Sequence, residues 1–186
     1  MQCMKKANPV YLALLLLFSL LGWAGCDRTA TVSTGLDSTG APSTSAKSVA
    51  DWFDMSVGGV DVRLQVAVQE GELELGLMNR ESLAANDGML FVFPSPQGMN
   101  FWMRNTSIPL DIAYFGPDGR LVEVYAAQPY DETILSSVSL RLQYVVEMNQ
   151  GWFAAHNLRP GARLDLDKVA DALKARGFTP VLYGLK

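Results

Sequence analysis

Residues 98–111 have the sequence GMNFWMRNTSIPLD. No other part of the chain places such bulky apolar side chains next to so many hydrogen-bonding groups. The apolar half contains the run FWM, and the polar half begins with RNT. Because successive side chains of a strand point to opposite faces, we expect Phe101 and Met103 to share a face and Trp102 to point away from it. The polar half is expected to leave the sheet and return, held by side-chain to backbone hydrogen bonds. This stretch is therefore predicted to be a structural hub, and its polar half is the best place to look for a ligand.

The segments before this stretch have the patterns of β-strands. From 60 to 68 valine and leucine alternate with more polar residues, which is typical of a half-buried strand. The run at 88–93 is apolar throughout and ends before two prolines, which predicts a fully buried strand. Residues 69–78 fit either a short helix or a second strand, and residues 97–103 are predicted to form a further strand.

A β-hairpin is the strongest signal after this stretch. Residues 110–115 and 120–127 flank GPDG, in which proline presets φ and glycine tolerates the left-handed region. The following patterns predict, in order, a surface loop at 130–139, a strand at 142–148, a short helix at 151–157 and a last core strand at 162–166. Short strands joined by tight turns predict a mainly β fold, a compact β-sandwich or a barrel-like core.

The end of the chain has a different pattern. Apolar residues at helical spacing follow Asp167, which is placed to cap a helix, and Gly177 is placed to end it. We predict a C-terminal helix and an edge strand at 178–185, both appended to the β core.

The beginning of the chain has the pattern of a secretory signal. Lys5 and Lys6 precede an apolar run at 10–21, which is shorter than the roughly 20 residues that span a membrane. The sequence GWAGC that ends at Cys26 resembles a bacterial lipobox, in which the signal peptide is cut before a cysteine that receives lipid. The alternative is a plain signal peptide cut near Gly25. We predict a lipidated Cys26, since several acyl chains on one residue anchor a protein stably to a membrane.

Four parts of the chain follow from these patterns. We predict a signal peptide at 1–25, a lipidated cysteine and flexible tether at 26–50, a β-rich core domain at 51–166 and a C-terminal segment at 167–186. The tether is rich in Ser, Thr, Gly and Ala and too poor in apolar residues to form a core. About 20 such residues reach roughly 25 Å. The domain is thus expected in the periplasm, anchored to a membrane of the cell envelope.

Charge and cysteine content exclude several classes of function. Without Lys5 and Lys6 the basic residues fall from 15 to 13 against 19 acids, which leaves a net charge of −6. An acidic protein repels phosphates, so we expect no nucleic-acid partner. The chain has two cysteines, Cys3 in the predicted signal and Cys26, so the core domain has no thiol for a disulfide or for thiol catalysis.

Six residues are candidates for ligand contacts because they bring polar or aromatic groups into apolar motifs. They are Arg80, Trp102, Asn105, Thr106, Asp111 and Glu147. Arg80 is placed to pair with Asp111 or Glu147 and so to join loops across the core. The functional alternative is a shallow pocket in which Arg80 and Asn105 hold an anionic or polar ligand. A third hypothesis is that Asp111 and Glu147 meet in a cleft as the acid and base of an envelope hydrolase.

A metal site is a weaker hypothesis. Four methionines lie in the central motifs, and thioethers bind Cu(I), although methionines also fill gaps in apolar cores. They are Met78, Met89, Met99 and Met103. His156 has no second histidine near it in the sequence and is interpreted as a surface or capping residue. We therefore expect core packing here, with no metal and no cofactor.

Several ordered motifs between residues 60 and 166 resemble the bacterial and archaeal family known as domain of unknown function 192. They are GLM at 76–78 with Arg80, GMLF at 88–91, FWM at 101–103, NT at 105–106, IPLD at 108–111, VVE at 145–147 and RPG at 159–161. The resemblance implies a compact, jelly-roll-like β-sandwich and an exported protein, and it implies no mechanism. No nucleophile motif such as G-x-S-x-G surrounds Ser107. We expect a membrane-tethered binding or accessory domain for an envelope ligand or protein, while the hydrolase and copper hypotheses stay open.

Overall fold

The computed structural model describes residues 46–186, so the predicted signal peptide, Cys26 and most of the predicted tether lie outside the described residues. A six-stranded mixed sheet with the order β1-β2-β3-β8-β5-β6 forms the centre, and β4 pairs with β7 in a second, two-stranded sheet. In chain order the strands are β1 (Phe53–Val57), β2 (Val60–Ala67), β3 (Asp87–Gln97), β4 (Asn100–Phe101), β5 (Leu110–Phe115), β6 (Leu121–Ala127), β7 (Leu135–Ser136) and β8 (Leu142–Asn149). Only β2 and β3 run parallel.

Helices are few and short between residues 46 and 186. They are α1 (Glu70–Leu75), α2 (Trp152–Ala155), α3 (Leu166–Ala175) and a 3-10 helix at Pro180–Tyr183. The α1 helix resolves the ambiguity at 69–78, and the Asp165 carboxylate, rather than that of Asp167, accepts the first N–H groups of α3. The predicted edge strand at 178–185 is wrong, because proline starts a tight helical turn there.

The main sheet has two different faces. On one face, which we call the helix-covered face, side chains such as Leu64, Leu90 and Val146 form a core with Val169 and Leu173 of α3. On the opposite face, which we call the loop-covered face, side chains pack under α1, the small β4/β7 sheet and the loops around 76–86 and 102–109. Both faces are therefore buried, which accounts for central strands that are apolar on both sides.

The prediction of a mainly β fold with a C-terminal helix is confirmed. The main sheet does not close into a barrel, since β1 and β6 are its two edges. The hairpin of β5 and β6 and the strand β8 are confirmed, whereas β1 was not predicted. The predicted strand at 162–166 reduces to isolated bridges at Arg163 and Leu164.

The two ends of the described chain pack against the sheet. The backbone N–H of Lys47 donates a hydrogen bond to the carbonyl of Ala175, and the Lys47 ammonium lies over the Phe53 ring. Buried Leu185 joins the core of the helix-covered face. Between residues 46 and 186 no helix is both long enough and apolar enough to cross a membrane.

Candidate functional site

A row of paired residues crosses the loop-covered face at its centre. Strand pairing places Gln65 beside Met89, Met89 beside Glu147, Glu147 beside Ile112 and Ile112 beside Tyr125. Because side chains of directly paired residues point to the same side, all five project into the same layer. The row brings two polar side chains, Gln65 and Glu147, to either side of a methionine in an otherwise apolar environment.

Glu147 is the most unusual group in this row. Its side chain is 0% exposed, and neither carboxyl oxygen has a hydrogen-bond partner among the described residues. Burial holds the pKa of the Glu147 carboxyl well above its ordinary value, because an ionised carboxylate is strongly disfavoured away from water. Buried polar groups in folded proteins nearly always have a partner. Burial therefore favours the neutral form of the Glu147 carboxyl, whose donor and acceptor no described protein group uses.

Arg80 and Gln65 form the polar end of the row. The Arg80 guanidinium donates to Gln65 Oε1, while Gln65 Nε2 donates to the Ala50 carbonyl at 2.8 Å. Partial burial lowers the pKa of Arg80. Gln65 lies two strands from Glu147, so their backbones are about 10 Å apart.

Two loops that carry predicted residues lie over this face and are joined to each other. The N–H of Asn79 donates to the Asn105 carbonyl at 2.8 Å, and the Ser107 hydroxyl donates to the Arg80 carbonyl at 2.8 Å. Asn149, two residues after Glu147 on the same side of β8, donates to the Ala84 carbonyl at 2.9 Å. The loops over this face are therefore joined to each other and to β8 by hydrogen bonds to backbone carbonyls.

Trp102 lies in this cover. Its half-buried ring packs against the core of the loop-covered face, and the Arg104 guanidinium lies 4.2 Å from the ring centroid. The indole Nε1–H is buried and has no hydrogen-bond partner in the part of the chain that the structure describes. Phe101 and Met103 are both buried in this core, as the alternation predicted, but the prediction that Trp102 points away from them is wrong, because β4 ends at Phe101 and Trp102 packs against the same core. Trp102 is thus a second polar donor without a partner on the same side of the sheet as Glu147.

Asn105 and Thr106 shape the turn after Trp102. Asn105 has a φ of 53° and is exposed, and its carbonyl, not its side chain, makes the bond to Asn79. Asparagine tolerates this left-handed backbone better than most residues. Thr106 is fully buried, and its hydroxyl donates to the Arg104 carbonyl at 3.2 Å. Thr106 therefore makes a side-chain to backbone bond of the kind predicted, whereas Asn105 holds the loop through its backbone carbonyl.

Asp111 lies on the other side of the sheet. Asp111 pairs with Met148 and Ile112 pairs with Glu147, so the two carboxyl groups point to opposite faces. The Asp111 carboxylate accepts the N–H groups of Gly151 at 3.0 Å and Phe153 at 3.3 Å, which holds the start of α2. The predicted pairing of Arg80 with either acid does not form, and the pairing of Asp111 with Glu147 as acid and base is wrong. The register between β5 and β8 prevents their meeting.

A shallow groove of about 530 Å³ lies beside Asp111 on the helix-covered face. Its lining includes Val124, Phe153, Arg159 and Pro160, so the IPLD and RPG motifs meet there. Since Asp111 already accepts two N–H groups, its carboxylate has less hydrogen-bonding capacity left than the carboxyl of Glu147.

The methionines and His156 have structural roles. Met89, Met99 and Met103 are buried in the core of the loop-covered face, and Met78 packs against it. Burial of all four side chains in or against one apolar core agrees with methionines that fill gaps in the packing. Within residues 46–186 no group of three or more His, Cys, Asp or Glu could hold a metal ion. His156 caps α2, with Nδ1 lying 2.8 Å from the Trp152 carbonyl.

Five of the six predicted residues therefore belong to one side of the sheet, and Asp111 does not. Gln65 and Asn149 were missed. The alternation at 60–68 placed Gln65 on the solvent-facing side of a half-buried strand. In the structure Gln65 is buried, because loops pack over that side of β2. The signal for Glu147 was its position among the apolar residues VVEM of a predicted buried strand.

Comparison with known proteins supports the fold. The DUF192 family model, described as "Uncharacterized ACR", matches residues 53–166. A crystal structure of a protein of unknown function from Novosphingobium aromaticivorans is 36% identical with a TM-score of 0.58, covering 61% of this chain and 84% of that chain. A crystal structure from Sinorhizobium meliloti, described as a "putative transcription regulator", is 31% identical with a TM-score of 0.57, covering 61% of this chain and 91% of that chain. No curated protein matches the chain.

Proposed function

This chain belongs to the DUF192 family, and from its own site we propose that it is a membrane-tethered ligand-binding domain of the bacterial cell envelope. The ligand meets the Glu147 carboxyl on the loop-covered face. The observation that carries this proposal is a fully buried carboxyl group with no hydrogen-bond partner among the described residues. A protein that kept Glu147 only for packing would be more stable with an apolar residue there, because burial of an unpaired polar group costs about 1–3 kcal/mol.

The chemistry of Glu147 restricts the ligand. A neutral carboxylic acid offers one donor and one acceptor, which matches an amide or a hydroxyl group. Burial disfavours the ionised form, so an uncharged polar group fits better than a cation. The Trp102 indole N–H adds a donor on the same side of the sheet. The ligand is therefore a small polar molecule, or the polar end of a larger one, without a positive charge at this point.

Access to Glu147 goes through the loops that cover it. The loops around 76–86 and 102–109 are joined by a few hydrogen bonds between Asn79 and Asn105 and between Arg80 and Ser107. Such connections open more readily than strand pairing or a helical core. We infer that the ligand enters between these loops and replaces part of their cover.

The location of the domain rests on its N-terminal sequence. The lipobox-like GWAGC and the polar segment after it support an anchor at Cys26 and a tether that leaves the domain in the periplasm. The expected partners are the membrane, through the lipid, and a ligand or protein of the envelope.

Native mass spectrometry of the lipoprotein extracted from membranes tests the binding site. We expect a bound molecule on the wild-type protein, its loss from Glu147→Met, and its retention by Asp54→Asn, which changes an exposed acid on β1. Methionine resembles glutamate in length and cannot replace its hydrogen bonds. A bound molecule present equally in wild type and Glu147→Met would contradict a ligand contact at Glu147, as would its absence from the wild type.

Cell fractionation tests the location. We expect the wild-type chain in the membrane fraction with lipid on Cys26, and Cys26→Ala in the soluble periplasmic fraction. Recovery of Cys26→Ala with the membranes, or a wild-type protein without lipid by mass spectrometry, would contradict the anchor.

A further inference from the structure

Three of the four apolar side chains between Ile134 and Leu140 point into solvent, while Leu135 packs against the core of the loop-covered face. Exposure alternates along this segment, and the outward side chains include Ile134 at 49%, Val138 at 84% and Leu140 at 73%. The residues between them, such as Ser137 and Ser139, face inward. We call the outward side chains of Ile134, Val138 and Leu140 the apolar ridge. This alternation is the reverse of the usual one, in which apolar residues face the core and polar residues face water.

Specific hydrogen bonds hold the ridge in this orientation. The Ser137 hydroxyl accepts the N–H of Met99 at 2.9 Å. The carboxylate of Glu123 on β6 accepts the N–H groups of Val138 at 3.1 Å and Ser139 at 3.0 Å. β7 pairs with β4 at the start of the segment. The outward position of the apolar side chains is therefore built into the fold.

This orientation has an energetic cost that a different register would avoid. A shift by one residue would turn Ile134, Val138 and Leu140 inward and only Leu135 outward, because side chains alternate with a period of two. Exposing a valine or leucine side chain is less favourable than burying it, because its apolar surface stays in contact with water. A cluster of exposed apolar side chains held in place by polar bonds is the usual sign of a contact surface.

We propose that the apolar ridge contacts the surface of the lipid bilayer. Protein interfaces are usually anchored by aromatic or arginine side chains that fill pockets, whereas the ridge consists of aliphatic side chains on an extended segment. A fluid bilayer needs no matching pocket. Tyr130, an aromatic residue of the same loop, is 65% exposed, and aromatic side chains with a polar end are enriched at the membrane surface.

The proposed tether makes so small a surface sufficient, and in this respect the inference rests on the proposed function. Three aliphatic side chains would bind a bilayer weakly from solution. Nineteen residues separate Cys26 from Ala46, and a flexible chain of that length has a reach of roughly 25 Å. A tethered group meets its surface at a high effective concentration, so weak contacts become populated. The ridge would then set the orientation that the tether alone leaves undefined.

A thiol-linked fluorophore tests this proposal in the intact lipoprotein. The core domain has no cysteine, so Val138→Cys provides a single labelling site once Cys26 carries lipid. The matched control is Val181→Cys, which changes a 70% exposed valine on the 3-10 helix. Both proteins are reconstituted into vesicles of phosphatidylethanolamine and phosphatidylglycerol that contain nitroxide-labelled lipid. We expect several-fold stronger quenching at position 138 than at 181, and a decrease at 138 when Ile134→Ser and Leu140→Ser are added.

Each outcome of this experiment decides one claim. Equal quenching at the two positions in a lipidated, vesicle-bound protein would overturn the ridge proposal and leave the anchor intact. Protection of the position 138 fluorophore from water without quenching by lipid would also overturn it, and would identify a protein as the partner. A wild-type chain that takes up the fluorophore at Cys26 lacks lipid there, which contradicts the proposed function and not the ridge.

Discussion

Two carboxyl groups on neighbouring strands show how strongly the environment of a single residue determines its role. Asp111 is nearly buried and accepts two backbone N–H groups at the start of α2. Glu147, one position away in register and on the opposite face, has no such donor among residues 46–186. The first carboxyl group stabilises the fold through these two hydrogen bonds. Burial disfavours the charged form of the second, whose hydrogen-bonding capacity no described group uses.

The raised pKa of Glu147 predicts a pH-dependent stability. The pKa of Glu147 is raised in the folded protein, whereas in the unfolded chain it takes its ordinary value of 4.5. Above about pH 4.5 the unfolded state loses this proton and the folded state keeps it, so rising pH favours unfolding. The free energy of unfolding should fall by about 1.4 kcal/mol per pH unit through this residue, until the folded pKa is reached.

Urea unfolding at pH 5, 6 and 7 checks this prediction against Glu147→Gln, which has a similar shape and does not titrate. The difference in free energy between the two proteins should grow in favour of the variant as the pH rises. Parallel pH profiles of the wild type and the variant would mean that Glu147 is not held neutral.

At the scale of elements, local patterns predicted the strands that pack in a regular way. The alternation at 60–68 and the GPDG turn identified β2 and the β5–β6 hairpin, because their side-chain periodicity directly reflects burial. The predicted strand at 97–103 shortens to Asn100–Phe101, because the chain turns where the N–H of Thr106 bonds to the Met103 carbonyl. The register between β5 and β8 depends on contacts distant in sequence, so the opposite placement of Asp111 and Glu147 was not predictable.

A buried ion pair joins two elements and makes a second prediction. The Arg176 guanidinium at the end of α3 binds Glu72 of α1 at 2.5 Å and also donates to the Val66 carbonyl, and its side chain is only 4% exposed. Glu72→Ala leaves this cation buried without its carboxylate. We expect a loss of about 3–5 kcal/mol in the free energy of unfolding, as for other broken buried pairs.

The control for this prediction is Asp171→Ala, which removes the partner of Lys174 in a solvent-exposed pair at 3.4 Å. That change should alter the free energy of unfolding by less than about 1 kcal/mol. Chemical denaturation measures both values, and equal effects of the two substitutions would show that burial does not strengthen the Arg176 pair.

At the scale of the whole molecule, the C-terminal segment belongs to the core although the family match ends at residue 166. Four side chains of α3 are buried against the helix-covered face, namely Val169, Ala170, Ala172 and Leu173. The spacing of apolar residues predicted this helix, and we interpreted the helix as an appendage to the core. The spacing shows that a helix has an apolar face, but it does not show what that face packs against.

Removal of residues 167–186 should therefore abolish cooperative folding. The truncation exposes the helix-covered face of the sheet and also removes Arg176, the partner of Glu72. Thermal unfolding followed by circular dichroism should show no sharp transition for the truncated chain. The substitutions Val181→Ser and Leu182→Ser, at exposed positions of the removed segment, should leave the transition of the full chain almost unchanged. A truncated chain that still melts cooperatively would show that the sheet is stable without α3.

The central claim is that a ligand meets the neutral carboxyl group of Glu147, and infrared spectroscopy tests it most directly. The carbonyl band of a protonated carboxylic acid is separate from that of a carboxylate, and the difference between wild type and Glu147→Gln isolates the signal of this residue. The protein extracted from membranes at pH 7 is measured with its bound molecule and again after that molecule has been removed. The account predicts a protonated Glu147 whose carbonyl band shifts when the molecule leaves. A band that stays the same in both states, or a Glu147 that is ionised at pH 7 without the molecule, would contradict it.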